Sequence, residues 1–535
     1  MPAGMSLSRL VSEIGLSDLG TPHGRWLEME GKVCADLGEA GEAELQRIIP
    51  YRRMSRKNPV HQPQQMRGAP VKAICISHRP SPIFRAMLLG AVPIHHSSVT
   101  DARVAAADVL ADLRDGLLLD AAFDRRTSNL DARDRRWTQE LVYGLLRRRE
   151  DLDSALHPRV RGGIARLHTD LTDLLRLGVY QLLYMNSVPP YAAIAQTVEL
   201  AKIRHGIGAS KLANAVLRRV DREREQLATE GKTADDEAGQ LARKYSHPRW
   251  LVERWVNRFG SRDTERLLQR NNEEARVVLR PWVVVHEQLE TSLERSGVSP
   301  EEVPLVPDSI QLPQGTALLE LAAWRQGHCF VQDPAATLVT RYAALAPGSV
   351  VGDFCAAPGG KSLELSRDAR FVFAADRSPS RLGRMAENLA RLDAGNVGLV
   401  AMDATLPAAS PLDAVLLDVP CTGTGTFRRH PDARWRLRHS DLAILAAAQA
   451  ELLRAAAAHV MAGGLLVYST CSLEHEENDE QVDAFLAQNP DWSLEEPPAG
   501  TVPDEVLDHG RLRVLPQVHG TDGSFAARLR RGPAT

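Results

Sequence analysis

From Pro347 onward the chain repeats one unit: a short apolar run, a turn of small residues, then a segment with helical spacing. The runs Val350–Phe354, Phe371–Ala375, Val397–Met402, Ala414–Leu417 and Leu465–Tyr468 have strand length and strand composition. Strands alternating with helices imply a parallel, doubly wound Rossmann-like sheet. A final hairpin from Arg511 to Leu529 is expected to add antiparallel edge strands. This architecture constrains function as well as fold. In an open α/β sheet, ligands sit beyond the carboxyl ends of the strands, at the switch point. Residues that follow different strands therefore meet in space, although they are spread over more than a hundred positions.

The first of these strand ends reads VVGDFCAAPGGKS, from Val350 to Ser362. Gly359 and Gly360 lack a Cβ, so a ligand can approach their backbone N–H groups closely. Gly360-Lys361-Ser362 supplies the tail of a phosphate-binding G-x-x-x-x-G-K-[ST] loop, but Cys355 stands where its first glycine is needed. A dinucleotide G-x-G-x-x-G is absent as well. Taken alone, the pair of glycines is better read as a tight strand–helix turn. Two acids change that balance. Asp376 follows the second strand, about twenty residues on, where a carboxylate accepts from ribose hydroxyls. Asp403 ends the third, where a carboxylate can accept from an adenine amino group. Either acid alone is as well explained as a helix cap. Together, beside a glycine loop that fits neither ATP nor NAD, they favour S-adenosylmethionine.

The fourth strand ends in Asp418-Val419-Pro420-Cys421 and the fifth in Ser469-Thr470-Cys471. Two thiols at the active edge of neighbouring strands can be small buried hydrophobes. Six cysteines spread over 535 residues form no disulfide framework and suit a reducing cytosol. No C-x-x-C or nearby His pair supports a metal, and none is expected. Position favours catalysis, because strand-end loops carry function. Lys361 and a helix N-terminus are placed to lower a thiol pKa. A thiolate is what carbon methylation of a pyrimidine requires. C5 of cytosine is too weak a nucleophile to attack a methyl sulfonium until a cysteine adds at C6 and makes an enamine.

The chain ahead of this sheet divides by composition. Residues 1–98, rich in Pro, Gln and Arg, read as a poorly ordered or atypical extension. Residues 99–232 carry helical spacing in Ala102–Leu110, Leu141–Leu146, Leu171–Leu183, Ala193–Ile203 and Ser210–Val220. Residues 233–340 read as a linker and a small α+β module. There Ser246 is placed to cap a helix opening at Pro248, Trp250 and Trp255 read as core anchors, and Val277–Leu279 and Val283–Val285 are β-rich. A helix is expected from Pro334. The catalytic domain spans 341–535. The charged content of 25% and net charge of −3 are ordinary, so any nucleic-acid role rests on local patches. Arg147–Arg149, Arg159–Arg166, Arg243–Arg249 and Arg428–Arg438 are such runs, each best read alone as a solvated helix face. No run is apolar and long enough to span a membrane. A cytoplasmic monomer is expected.

Two resemblances now become specific. Asp134-Arg135-Arg136, Glu140 to Gly144, Leu174 to Leu182 and Asn214 to Arg218 resemble the NusB-type RNA-binding domain. FCAAPGGK, DVPCTGTG, RRHPDARWR (Arg428–Arg436), STCS with Glu474, Glu477 and Asn478, and HGTDGSF together resemble the RNA cytosine-C5 methyltransferases of the RsmB/Sun type. The resemblance covers about residues 100–532. It implies methylation of a cytosine in small-subunit (16S) ribosomal RNA. It implies that Cys355, Ala356, Ala357, Pro358, Gly359, Gly360, Lys361, Asp376, Asp403 and Asp418 bind S-adenosylmethionine. It further implies that Cys471 is the nucleophile, that Cys421 assists release of the covalent adduct, and that Asp418 and Lys361 contact the cytosine ring. Spacing alone does not assign the two thiols. The chain departs from the family at Gly352, expected to loosen the first strand, and at Ser524, where an aromatic is usual. The rival readings are another RNA substrate, tRNA or 23S, and a non-catalytic NusB-like assembly factor.

Overall fold

The computed structural model describes residues 99–227, 236–405 and 411–533. The extension 1–98 lies outside the described residues. The front domain is all helical: Asp101–Arg114, Leu119–Thr127, Ala132–Arg147, Arg149–Leu156, Thr169–Tyr184 and Pro190–Arg222. Their apolar faces meet in one core around Leu141, Leu145, Leu175 and Leu217. The last helix bends at Gly206, so the two expected segments run end to end. Asp131 caps the third helix, accepting from Asp134 N at 2.8 Å.

Two further helices follow, Glu237–Tyr245 and Arg249–Asn271. Ser246 does not cap the second. It ends the first in a left-handed turn (φ 56°), and its Oγ accepts from Glu150 N at 2.7 Å, tying this linker to the helical domain. Trp255 is buried and Trp250 half-buried against His439, as core anchors. The small module holds an antiparallel sheet in the order β2-β3-β1-β4, with β1 Val278–Pro281, β2 Glu301–Glu302, β3 Ile310–Gln311 and β4 Cys329–Val331. Val283–Val285 is not a strand. Val283 takes φ 54° and the segment turns, largely exposed, into helix His286–Arg295. The β-branched composition there is overridden by the need to leave the sheet after Pro281. Asp333 caps helix Pro334–Ala343, accepting from Ala335 N at 2.9 Å. That helix buries Leu338 and Tyr342 against Val351 and Leu416 of the large sheet.

The large sheet runs β11-β12-β13-β9-β8-β5-β6-β7, with β10 also on β13. Its strands are β5 Val350–Phe354, β6 Phe371–Asp376, β7 Val397–Ala401, β8 Leu412–Asp418, β9 Val460–Thr470, β10 Trp492–Leu494, β11 Leu507–Asp508, β12 Arg511–Val514 and β13 Ser524–Arg531. β5 pairs in parallel with both β6 and β8, so the switch point lies between β5 and β8. β5 is buried throughout, as a strand covered on both faces must be. β13 is not an edge strand: it lies between β9 and β12, and β11 forms the edge. Its apolar run Phe525–Ala527 needs cover on both sides. Gly352 does not loosen β5 either. A Cβ there would lie 2.8 Å from side-chain atoms of Leu412 and Phe354, so neighbours fill the space.

The basic runs are not simply solvated faces. Arg159, Arg428 and Arg434 are buried. Arg434 donates to Asn272 Oδ1 at 2.8 Å and Asn271 O at 2.9 Å, and Trp435 Nε1 donates to Leu146 O at 2.7 Å. The segment after Cys421 therefore seams the helical domain, the linker and the sheet. Burial holds the Arg434 guanidinium down to about 9, with Arg147 adding to the effect.

Candidate active site

Five strand ends converge. After β5, Cys355 takes φ 64° and the chain closes into a loop tied to β6: Ala356 N donates to Ala375 O at 2.9 Å and Ala357 N to Asp376 Oδ2 at 3.3 Å. Gly359 has φ 102°, and a Cβ there would come within 2.7 Å of Met385, so this turn requires glycine. Helix Gly360–Leu365 starts immediately after it. Asp376 is buried, accepts from Ser378 N at 2.9 Å, and pairs with Arg381 at 3.2 Å. Asp403 is exposed beyond β7, and hydrogen bonds from Thr405 hold its carboxyl below the usual range.

Beneath the loop lies a carboxylate that motif reading passed over. Asp353 is fully buried in β5 and takes a hydrogen bond on Oδ2 from Ser362 Oγ. Its Oδ1 has no partner. Desolvation pushes its pKa up to about 7, against the Ser362 bond. The Cys355 thiol is likewise driven up to about 12, first by burial and then by Asp418, Asp376 and Asp353. It stays protonated at neutral pH.

On the other side of β5, Lys361 Nζ pairs with Asp418 Oδ2 at 2.8 Å, and Asp418 Oδ1 accepts from Ser469 Oγ at 2.7 Å. Burial opposes the lysine charge, but the Asp418 carboxylate outweighs it and the pKa is raised. The two expected thiols meet: Cys421 Sγ and Cys471 Sγ are 3.2 Å apart, hydrogen-bond contact rather than the roughly 2.05 Å of a disulfide. The expected lowering of thiol pKa does not hold for Cys421. It is raised well above its ordinary value, first by its hydrogen bond to Cys471, then by burial.

A buried polar lattice locks these thiols. Asn478 receives Thr470 Oγ1 at 2.6 Å and donates to Ser472 O at 2.9 Å, so it straddles Cys471. Glu477 accepts from Thr422 N and Gln449 Nε2, both at 2.9 Å, and fixes the residue after Cys421. Gly425 N donates to Cys471 O at 3.0 Å, and a Cβ on Gly425 would lie 2.7 Å from that oxygen, which only glycine permits. Farther out, Arg429 bridges Asp522 at 2.6 Å and Asp333 at 2.5 Å. Glu477 and Asn478 stand in the sequence motif, but nothing local tells that they aim back at the thiols. Ser469 and Asp353 stand inside the quoted motifs without a role read for them, and Gln449, mid-helix, carries no signal.

Residues 342–530 match the family model described as 16S rRNA methyltransferase RsmB/F, residues 100–222 the NusB family, and residues 247–318 the RsmF/B-like ferredoxin-like domain. A probable ribosomal RNA small subunit methyltransferase B of Synechocystis is 36% identical over 428 residues, covering 77% of this chain and 95% of that protein. The probable methyltransferase B of Bacillus subtilis is 33% identical, covering 76% and 92%. The ribosomal RNA small subunit methyltransferase B of Cronobacter sakazakii is 34% identical, covering 74% and 90%. Among solved structures, PH0851 shares the fold, with a TM-score of 0.69 at 24% identity, covering 81% of this chain and 98% of that one.

Proposed function

The chain belongs to the ribosomal RNA small subunit methyltransferase B family, and we propose that it methylates C5 of a cytosine in small-subunit ribosomal RNA through a cysteine adduct. The observation that carries this reading is the pair of reduced thiols 3.2 Å apart beside the Lys361–Asp418 pair. Methyl transfer to nitrogen or oxygen needs neither thiol.

The strand-end residues fit S-adenosylmethionine. The loop 355–361 turns sharply at Gly359, and Asp353 Oδ1 and Gln332 Nε2 are buried polar atoms without partners beside it. Asp376 and Asp403 would hold ribose and adenine, with Asp418 nearer the reacting centre. When bound, this cofactor supplies an electrophilic methyl group.

Cys471 Sγ, as thiolate, adds to C6, and the ring electrons move toward C5 and N3. The Asp418–Lys361 pair supplies the proton and charge balance that stabilises the electron-rich ring. After C5 is methylated, Cys421, having released its own proton to solvent, takes the C5 proton as a thiolate. Those electrons restore the C5–C6 double bond, and Cys471 leaves as thiolate. The cause of the raised Cys421 pKa makes this order sensible. Its largest cause is the hydrogen bond to Cys471, which weakens once the Cys471 sulfur is bonded to carbon, so the Cys421 thiol gives up its proton more readily at the stage that requires a base, although burial still opposes this. The buried Cys471 lattice supplies fixed orientation for the attack. The NusB-like helices support an RNA substrate.

With labelled cofactor and small-subunit rRNA, Cys471→Ala is expected to abolish transfer, and Cys421→Ala to accumulate a protein–RNA adduct that survives denaturation. Adduct from Cys471→Ala, with none from Cys421→Ala, reverses the roles. Transfer to nitrogen or oxygen, found by mass mapping of the nucleoside, overturns the C5 reading.

A further inference from the structure

Gln332 closes β4's register and sits where the small module meets the glycine loop: its backbone N donates to Val278 O at 3.1 Å. The residue is 5% exposed. Thr337 Oγ1 donates to Gln332 Oε1 at 3.0 Å, which orients the amide and leaves Nε2 on the opposite side. That nitrogen is buried, has no protein partner, and lies 3.2 Å from where a Cβ on Gly360 would stand. The neighbouring Asp333 is held by Arg429 and caps the next helix, so the backbone here has little freedom. A buried amide N–H without an acceptor costs free energy, and its retention against the glycine loop points to an acceptor that arrives with a ligand.

The spatial order of strands says which part of the ligand that is. Reading across the sheet, Asp403 follows β7, Asp376 ends β6, the glycine loop follows β5, Asp418 ends β8 and Cys471 follows β9. On the cofactor reading above, adenine and ribose occupy the first two places, and the methyl group must face the thiols. The amino-acid arm on the same sulfur is left with the loop after β5. Its ammonium only donates and its carboxylate only accepts, so the carboxylate alone can partner an amide N–H.

We propose that Gln332 Nε2 is a hydrogen-bond donor to the carboxylate of the bound S-adenosylmethionine, so that the small module completes the cofactor site. This rests on the cofactor reading. The test uses the full chain and calorimetric titration with S-adenosylmethionine and with 5′-methylthioadenosine, which has the adenosine but no amino-acid arm. Gln332→Leu is expected to weaken S-adenosylmethionine about tenfold or more while leaving methylthioadenosine within about twofold. Gln332→Glu, setting carboxylate against carboxylate, is expected to weaken it further. Thr337→Val, which releases the amide from its anchor, gives a smaller loss of the same selectivity and carries the test should the Gln332 variants fold poorly. Equal losses for both ligands, no loss for either, or tighter S-adenosylmethionine binding by Gln332→Glu overturns the assignment. A wild-type chain that binds neither ligand overturns the cofactor reading instead.

Discussion

The two flanks of the site are built differently. Toward β6 and β7, the loop is fixed by backbone bonds to one buried acid, Asp376, and the outer acid, Asp403, is exposed. Toward β8 and β9, the thiols sit in a lattice of buried side chains in which Asn478, Glu477, Thr422, Thr424 and Ser472 partner one another or the backbone. On the function proposed above, the first flank suits a cofactor that must enter and leave each turnover, and the second suits groups that must hold one geometry while a ring carbon is attacked. A hydrogen-bonded lattice of this kind is costly to break, because removing one member strands the others away from water.

That contrast can be broken from either side. The largest effect is expected on the thiol flank. Asn478→Ala should lower single-turnover methyl transfer by about 10²-fold, with cofactor affinity by calorimetry unchanged. Loss of affinity to match would mean the flanks are not separable. On the other flank, Asp376→Ala should weaken S-adenosylmethionine about tenfold, and Asp403→Ala less, because the exposed acid competes with water. A reversed ranking would make Asp403 the principal anchor. Gly352→Ala, forcing a Cβ against Leu412 and Phe354, should lower stability in chemical denaturation by about 1–3 kcal/mol. A neutral result would show that β5 has slack.

Asp353 tests the floor between the flanks by pH. Its native pKa, about 7, lies above the ordinary 3.8, so the folded chain holds this proton more tightly than the unfolded chain does. The sign follows: its contribution favours folding below about 3.8 and declines as pH rises to about 7. Asp353→Asn should remove that decline, read as the wild-type minus variant difference in melting temperature of the ligand-free protein across that range. A difference that does not vary with pH means the carboxyl ionises normally.

Much of this is legible in the sequence, for identifiable reasons. β5 begins and ends where Val350–Phe354 indicated, since a buried strand between helices must be apolar. The thiols met as expected because β8 and β9 are parallel neighbours. Less legible was whatever depended on distant partners. Ser246 looked like a cap, yet it terminates the previous helix and binds Glu150. Val283–Val285 looked like strand, yet the sheet ends before it. Arg428 and Arg434 looked solvated, yet they are buried among carboxylates and carbonyls from other segments.

The sequence by itself determined the parallel strands of the sheet and the kinds of groups that stand at their ends. Apolar periodicity and turn residues act over a few positions, so they can be read locally. Only the tertiary structure decided how those groups are tuned. Cys421 is raised because Cys471 is 3.2 Å away, Lys361 keeps its charge because Asp418 faces it, and Asp353 is perturbed because nothing solvates it. Desolvation and Coulomb terms depend on through-space distance and burial, and neither is a property of any stretch of chain.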